Sequence, residues 1–254
     1  MHIKTMFLPV AIILISCQNT NSQFSGQAAS TQMPGKVIDI PLPDGFERIR
    51  YADSSFSTWL RHLPLKSNKT VYLYNKLPKA NQEAQFAVLD ISVGDKNLQQ
   101  CADAVMRLRA EYLFAKKDYR SIVFTDNEGS SYVFTAPFEK DHFEKYLERV
   151  FGMCGSASLS KQLKKVPAIS EIRPGDVFIR GGFPGHAATV MDVAMNKKGK
   201  KIFLLSQSYM PAQDIHILKN PVNENGSPWY ELDTSATQLE TPEYTFKTSE
   251  LKGW

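Results

Sequence analysis

Two spacings of apolar residues divide this chain into elements. Leu98, Cys101, Val105, Leu108 and Tyr112 recur every three or four positions, which predicts a helix over residues 97–114 with one face in a core. A serine-led stretch at 54–60 predicts a short capped helix, and residues 138–151 and 158–166 predict two more. Elsewhere apolar positions alternate or run together, as strands require, at 70–74, 85–93, 121–125, 131–135, 176–180, 187–195, 202–208 and 215–218. Asp126-Asn127-Glu128-Gly129 turns the 121–125 strand into the 131–135 strand. The glycine-containing 196–200 segment does the same between 187–195 and 202–208, making that pair antiparallel. The expected fold class is α+β, an antiparallel sheet with packed helices.

The amino-terminal pattern is different. An uncharged run, residues 7–15, follows Lys4; it is too short to cross a bilayer and has the length of the apolar core of a secretory signal. It ends in Leu14-Ile15-Ser16-Cys17, which resembles a bacterial lipobox. That resemblance implies removal of residues 1–16 and acylation of Cys17, and buried acyl chains hold a protein at a membrane without a spanning helix. Residues 17–36 are small, polar and aperiodic, and read as a flexible tether to a single α+β domain at 37–254, with lobes 37–137 and 138–254 as the alternative division. Gln18, not aspartate, follows the cysteine. By the sorting habit of such lipoproteins this places the chain on the outer membrane, facing the periplasm.

Composition narrows the function classes. With 43% hydrophobic and 22% charged residues, the chain is neither disordered nor multi-spanning. Thirty basic against 26 acidic residues give +4, too little for a dedicated nucleic-acid binder. No dense ligand motif points to a metal, and no cofactor is expected. The partners expected are the membrane, through Cys17, and a cell-wall peptide or envelope protein. Apart from Cys17, only Cys101 and Cys154 remain, as one bridge or two free thiols. Cys101 reads as a small buried hydrophobe on its helix. Cys154 lies between two predicted helices, where a helix start lowers a thiol pKa.

The residues 98–112 (LQQCADAVMRLRAEY), 174–190 (PGDVFIRGGFPGHAATV) and 205–216 (LSQSYMPAQDIH) resemble an uncharacterised family of bacterial predicted lipoproteins, a domain of unknown function over nearly all the mature length. Residues 150–210 also resemble the NlpC-type papain-like cell-wall cysteine peptidases, through Pro174-Gly175-Asp176, an apolar strand, and a histidine opening the next one. That second resemblance implies a papain-like carboxy-terminal half in which Cys154 is the nucleophile, His186 the base, and Gln207 or Ser206 the residue that orients the imidazole. The chemistry implied is thiol hydrolysis of envelope peptide or isopeptide bonds. The bland alternatives are a buried Cys154 thiol and a His186 that closes its turn. On either reading Gly182 and Gly185 in the turn, and Ser208, Tyr209 and Gln213 at the strand exit, mark a binding cleft. A non-catalytic lipoprotein using that cleft for a peptide, glycan or protein partner is the competing function.

Overall fold

A computed structural model describes Met1, His2, residues 33–223 and residues 225–254. Cys17, the expected signal segment 1–16 and most of the expected tether 17–36 lie outside the described residues. Residues 33–254 form one compact unit.

The unit is α+β. In chain order it contains β1 (Phe46–Arg48), α1 (Phe56–Arg61), β2 (Gln85–Val88), α2 (Cys101–Ala115), β3 (Val123–Thr125), β4 (Ser131–Val133), α3 (Lys140–Met153), α4 (Ser156–Gln162) and β5 (Lys164–Lys165). It continues with β6 (Val177–Arg180), β7 (His186–Asn196), β8 (Lys201–Gln207), β9 (His216–Leu218), β10 (Tyr230–Glu231), β11 (Gln238–Glu240), β12 (Thr245–Lys247) and β13 (Leu251–Gly253). The main sheet is antiparallel and runs β2-β9-β8-β7-β6-β13-β5, with β1 beside the end of β7 and β10 beside β8. The β7–β8 hairpin at its centre turns through the lysine-rich 196–200 segment. β3 and β4 form a separate hairpin.

Two helices begin where their sequence supplies a cap. Ser55 accepts the Thr58 N–H at the start of α1. α2 begins at Cys101, later than its apolar spacing suggests, because the Asp103 carboxylate accepts the Gln100 N–H at 2.8 Å and fixes Gln100 as the boundary. Leu98 therefore lies in the approach to the helix and Cys101 in its first turn.

Apolar side chains gather in two clusters, one on each face of the sheet. Leu108, Val105 and Met106 of α2 pack with Ala187, Met191 and Leu204 on one face; Phe178, Val190, Phe203 and Phe246 fill the other. A bulge between Val190 and Asp192 keeps both faces apolar yet turns Asp192 to the helix side. There its buried carboxylate meets Arg48 at 2.7 Å and Arg61 at 2.6 Å, which ties β1 and α1 to the sheet centre.

Several predicted strands are shorter than expected, two of them markedly. Residues 70–74 make only isolated bridges, Tyr72 with Pro78 and Leu73 with Gln213, since proline has no N–H with which to continue a ladder. β2 stops at Val88, after which Leu89 and Asp90 turn their N–H groups to Ile215 and Pro64.

Candidate functional site

His186 opens β7 and is 1% exposed. Antiparallel pairing of β7 with β8 brings Gln207, at the end of β8, to its ring: Nε2 lies 2.7 Å from Gln207 Oε1. Ser206, the neighbouring candidate, is buried with its hydroxyl unpartnered and makes no such contact. The Gln207 amide donates in turn to Glu243 Oε2 at 2.8 Å. Lys79 pairs with that same carboxylate, and Asn81 donates to its other oxygen at 3.1 Å.

This chain of bonds fixes a tautomer. A carboxylate accepts only, so the Gln207 group facing Glu243 must be its NH2, and the group facing His186 must be its oxygen. The imidazole therefore carries its proton on Nε2, and Nδ1 is the basic nitrogen left for a reacting partner. Tyr209 and Tyr244 flank the ring, each with centroids 4.7 Å away, and Phe246 stacks beyond. Burial pushes the imidazole down to about 4, so the ring is neutral near pH 7.

The turn before His186 is built for close approach. A Cβ at Gly185 would run into the Ser156 hydroxyl and stand 2.6 Å from the Arg180 carbonyl, and Gly182 holds φ at +148°. Ser156 donates to the Gly182 carbonyl at 3.1 Å, fastening the turn to the start of α4. A cavity of about 240 Å³ opens here, lined by Cys101, Asp103, Cys154, Gly182 and Gly185, with Phe183, 87% exposed, and Met210 at its rim.

The two cysteines stand differently in that cavity. Cys154 does not start a helix: it ends α3, its N–H bonded to the Val150 carbonyl at 2.8 Å, and Gly155 separates it from α4. It thus stands between two helices, one residue before the α4 N-cap, as the sequence predicts, but burial outweighs the helix-start field and its thiol pKa is raised rather than lowered. Burial, followed by the charges of Asp126 and Asp103, pushes it up to about 11, with the nearby Ser158 hydroxyl opposing. No hydrogen bond or ring contact among the described residues joins it to His186.

Cys101 is buried, as its apolar spacing predicts. It occupies the first position of α2, where the backbone N–H groups have no partner within the helix. Burial first, then the Asp103 charge, pushes its thiol up to about 11, against the opposing N–H groups of Ala102, Cys101 and Ala187. Ala187 is the residue after His186, so the sulfur sits beside the start of β7. Tyr209, tilted against His186, also feels the Cys101 charge. Asp103 is itself pushed up to about 8 by burial, which keeps it protonated beside the thiol at neutral pH. Both cysteines are free.

The strand exit is pinned. Ser208 donates to the Gln99 and Gln213 carbonyls, and Asn97 accepts the Ala212 N–H at 2.8 Å, so residues 207–213 are stitched to the loop that leads into Cys101. Ser208 and Gln213 are buried in this network, and Tyr209 alone of the three is partly exposed. His216, one strand over, is fully buried and pushed down to about 3 by burial and the nearby Lys79 charge.

No curated protein and no solved structure matches the chain. A family model does, in two segments, residues 38–139 and 135–253: the chain belongs to the family described as Domain of unknown function (4846).

Proposed function

We propose that this member of the family is a thiol hydrolase of amide bonds in the cell envelope, with Cys101 rather than Cys154 as nucleophile, His186 as base and Gln207 as the residue that orients it. The observation that carries the reading is the His186–Gln207 bond at 2.7 Å, backed by Glu243, which leaves Nδ1 unengaged on the residue next to Ala187, whose N–H acts on the Cys101 thiol.

The resting pair is a neutral thiol and a neutral imidazole, as both shifts require. On attack the Cys101 proton passes to Nδ1 and the sulfur bonds the substrate carbonyl carbon. The oxyanion formed meets N–H groups of the first turn of α2, which are unengaged by the helix and carry its positive end. His186 then gives its proton to the leaving amine, and water releases the acyl group from sulfur. Gln207 holds the imidazole in its working tautomer without a charge of its own. The exposed Phe183 and Met210 at the rim favour a substrate with an apolar side chain beside the scissile bond.

The lipid anchor at Cys17, on an outer membrane facing the periplasm, completes the proposal and is supported by the lipobox pattern alone; Cys17→Ser abolishes fatty-acid labelling if it is right. The catalytic reading is tested by incubating the protein with a muropeptide mixture and following amide cleavage by mass spectrometry. Cys101→Ala and His186→Ala abolish cleavage and Cys154→Ala retains it. Cleavage that survives Cys101→Ala overturns the assignment. Specific muropeptide binding without cleavage favours the competing reading, a lipoprotein that only binds through this cleft.

A further inference from the structure

A second cavity, about 300 Å³, lies along α2 from the first, lined by Phe56 and Ser57 of α1, Arg109, Lys165, the Arg173–Asp176 turn and Trp254. Arg109 is eight residues beyond Cys101, about 12 Å along the helix, so the two cavities are separate.

Arg109 is unusual among the half-buried charges of this chain. Its guanidinium lies 5.2 Å from the Phe56 ring centroid, 5.5 Å from that of Tyr112 and 5.4 Å from that of Trp254. Stacking satisfies the faces of a guanidinium and leaves its five N–H donors, which lie in the plane, to find acceptors. Among the described residues Arg109 has no hydrogen-bond acceptor and no carboxylate partner. Arg48, Arg61, Arg107 and Arg180 each have both. The Trp254 indole N–H, in the same wall, is also buried without an acceptor.

The acids lining the cavity do not answer this need. Asp176 is occupied by the Arg173 N–H at 2.9 Å, and the charges that act on Arg109 are those of Tyr112 and Asp118, not Asp176 or Glu171. Lys165 and Arg173 add positive charge at the mouth. Donors in excess, an aromatic wall and a net basic lining describe a receptor lacking its acceptor.

We infer that this cavity binds a small organic anion, whose carboxylate or phosphate oxygens bridge the in-plane donors of Arg109 while its apolar body lies against Phe56 and Trp254. The site stands apart from the proposed nucleophile, and its occupancy does not depend on the hydrolase reading.

The test uses the full mature chain titrated with benzoate, with phenyl phosphate and, as the cationic control, with benzylamine. Binding is followed by calorimetry and by the Arg109 Nε–H resonance. The expected result is saturable binding of one or both anions, a shift of that resonance, no binding of benzylamine, and unchanged affinity in Cys101→Ala. Which anion binds more tightly distinguishes a carboxylate from a phosphate ligand. Arg109→Met weakens binding about tenfold or more, the size of a charge-assisted hydrogen bond. Should Arg109→Met not fold, Arg109→Lys, which keeps the charge and loses the fork, gives the same direction. Absence of saturable binding, an unmoved Arg109 resonance, or equal affinity in the folded arginine variants overturns the inference and leaves Arg109 as a stacking residue.

Discussion

Replacing Glu243 with leucine separates the two jobs assigned to it, holding Lys79 and aiming Gln207. The Lys79 side chain is 9% exposed and that of Glu243 13%, so the variant strands an ammonium group that water barely reaches. Removing one member of a buried pair costs about 3–5 kcal/mol. Burial already lowers the Lys79 pKa, with Glu243 opposing, so without Glu243 the lysine sheds part of the cost by losing its proton. The lower figure, about 3 kcal/mol, is therefore expected, and at roughly 2–4 °C per kcal/mol for a unit of this size the melting temperature falls by about 6–12 °C. Lys79→Met combined with Glu243→Leu recovers most of it, because two apolar side chains replace two charges. Calorimetric melting of the wild type, both single variants and the double variant closes the cycle. Nitrogen NMR of His186 reads the second job: the wild type shows one tautomer, protonated on Nε2, and Glu243→Leu shows a mixture as the Gln207 amide becomes free to turn. A Glu243→Leu protein that melts within about a degree of wild type and keeps a single tautomer refutes the reasoning.

Further outcomes follow from particular residues. Asp103 holds in the folded state, up to about pH 8, a proton that the unfolded chain releases near 3.8, so it lowers stability as pH rises through that window. Asp103→Asn removes that slope, and denaturant melts show the variant gaining on wild type from pH 5 to pH 8. Iodoacetamide, followed by peptide mass spectrometry in Cys154→Ala, labels Cys101 more slowly than a free thiol at pH 8 and accelerates toward pH 11. Gly185→Ala costs about 1–3 kcal/mol by overpacking, and Ser156→Gly does not rescue it, because the Arg180 carbonyl still blocks the new methyl group. Asp192→Asn weakens the bonds to Arg48 and Arg61 in the core and costs about 3–5 kcal/mol in urea unfolding.

Much of the fold was legible in the sequence because local signals and tertiary structure agree. The β3–β4 and β7–β8 hairpins follow their turn residues, and α1 follows Ser55. The strands that shrank most are those whose partners come from elsewhere in the chain, such as residues 70–74 against Gln213. In the site, the hairpin register puts Gln207 within reach of His186, and this was readable from the turn. Cys101 is buried, as its apolar spacing predicts, but its place in the first turn was not readable from that spacing, since a core cysteine and a first-turn cysteine share one periodicity. The distinguishing signal is Asp103, placed to cap Gln100 and so to start the helix at the cysteine. Glu243 left no local signal: its tie to Gln207 spans 36 residues and its tie to Lys79 spans 164.

The junction at Asp192 also bears on how the chain comes together. Arg48 and Arg61 reach it from 144 and 131 residues upstream, and β1 pairs only with the far end of β7. During synthesis the first strand and first helix leave the ribosome long before their partners exist. Loop closure over such separations is slow, and it holds the early segments open while the rest of the chain is made. An interval spent unfolded leaves the apolar stretches around β1 and α1 uncovered, and open to association with other chains, until the β7–β8 hairpin arrives.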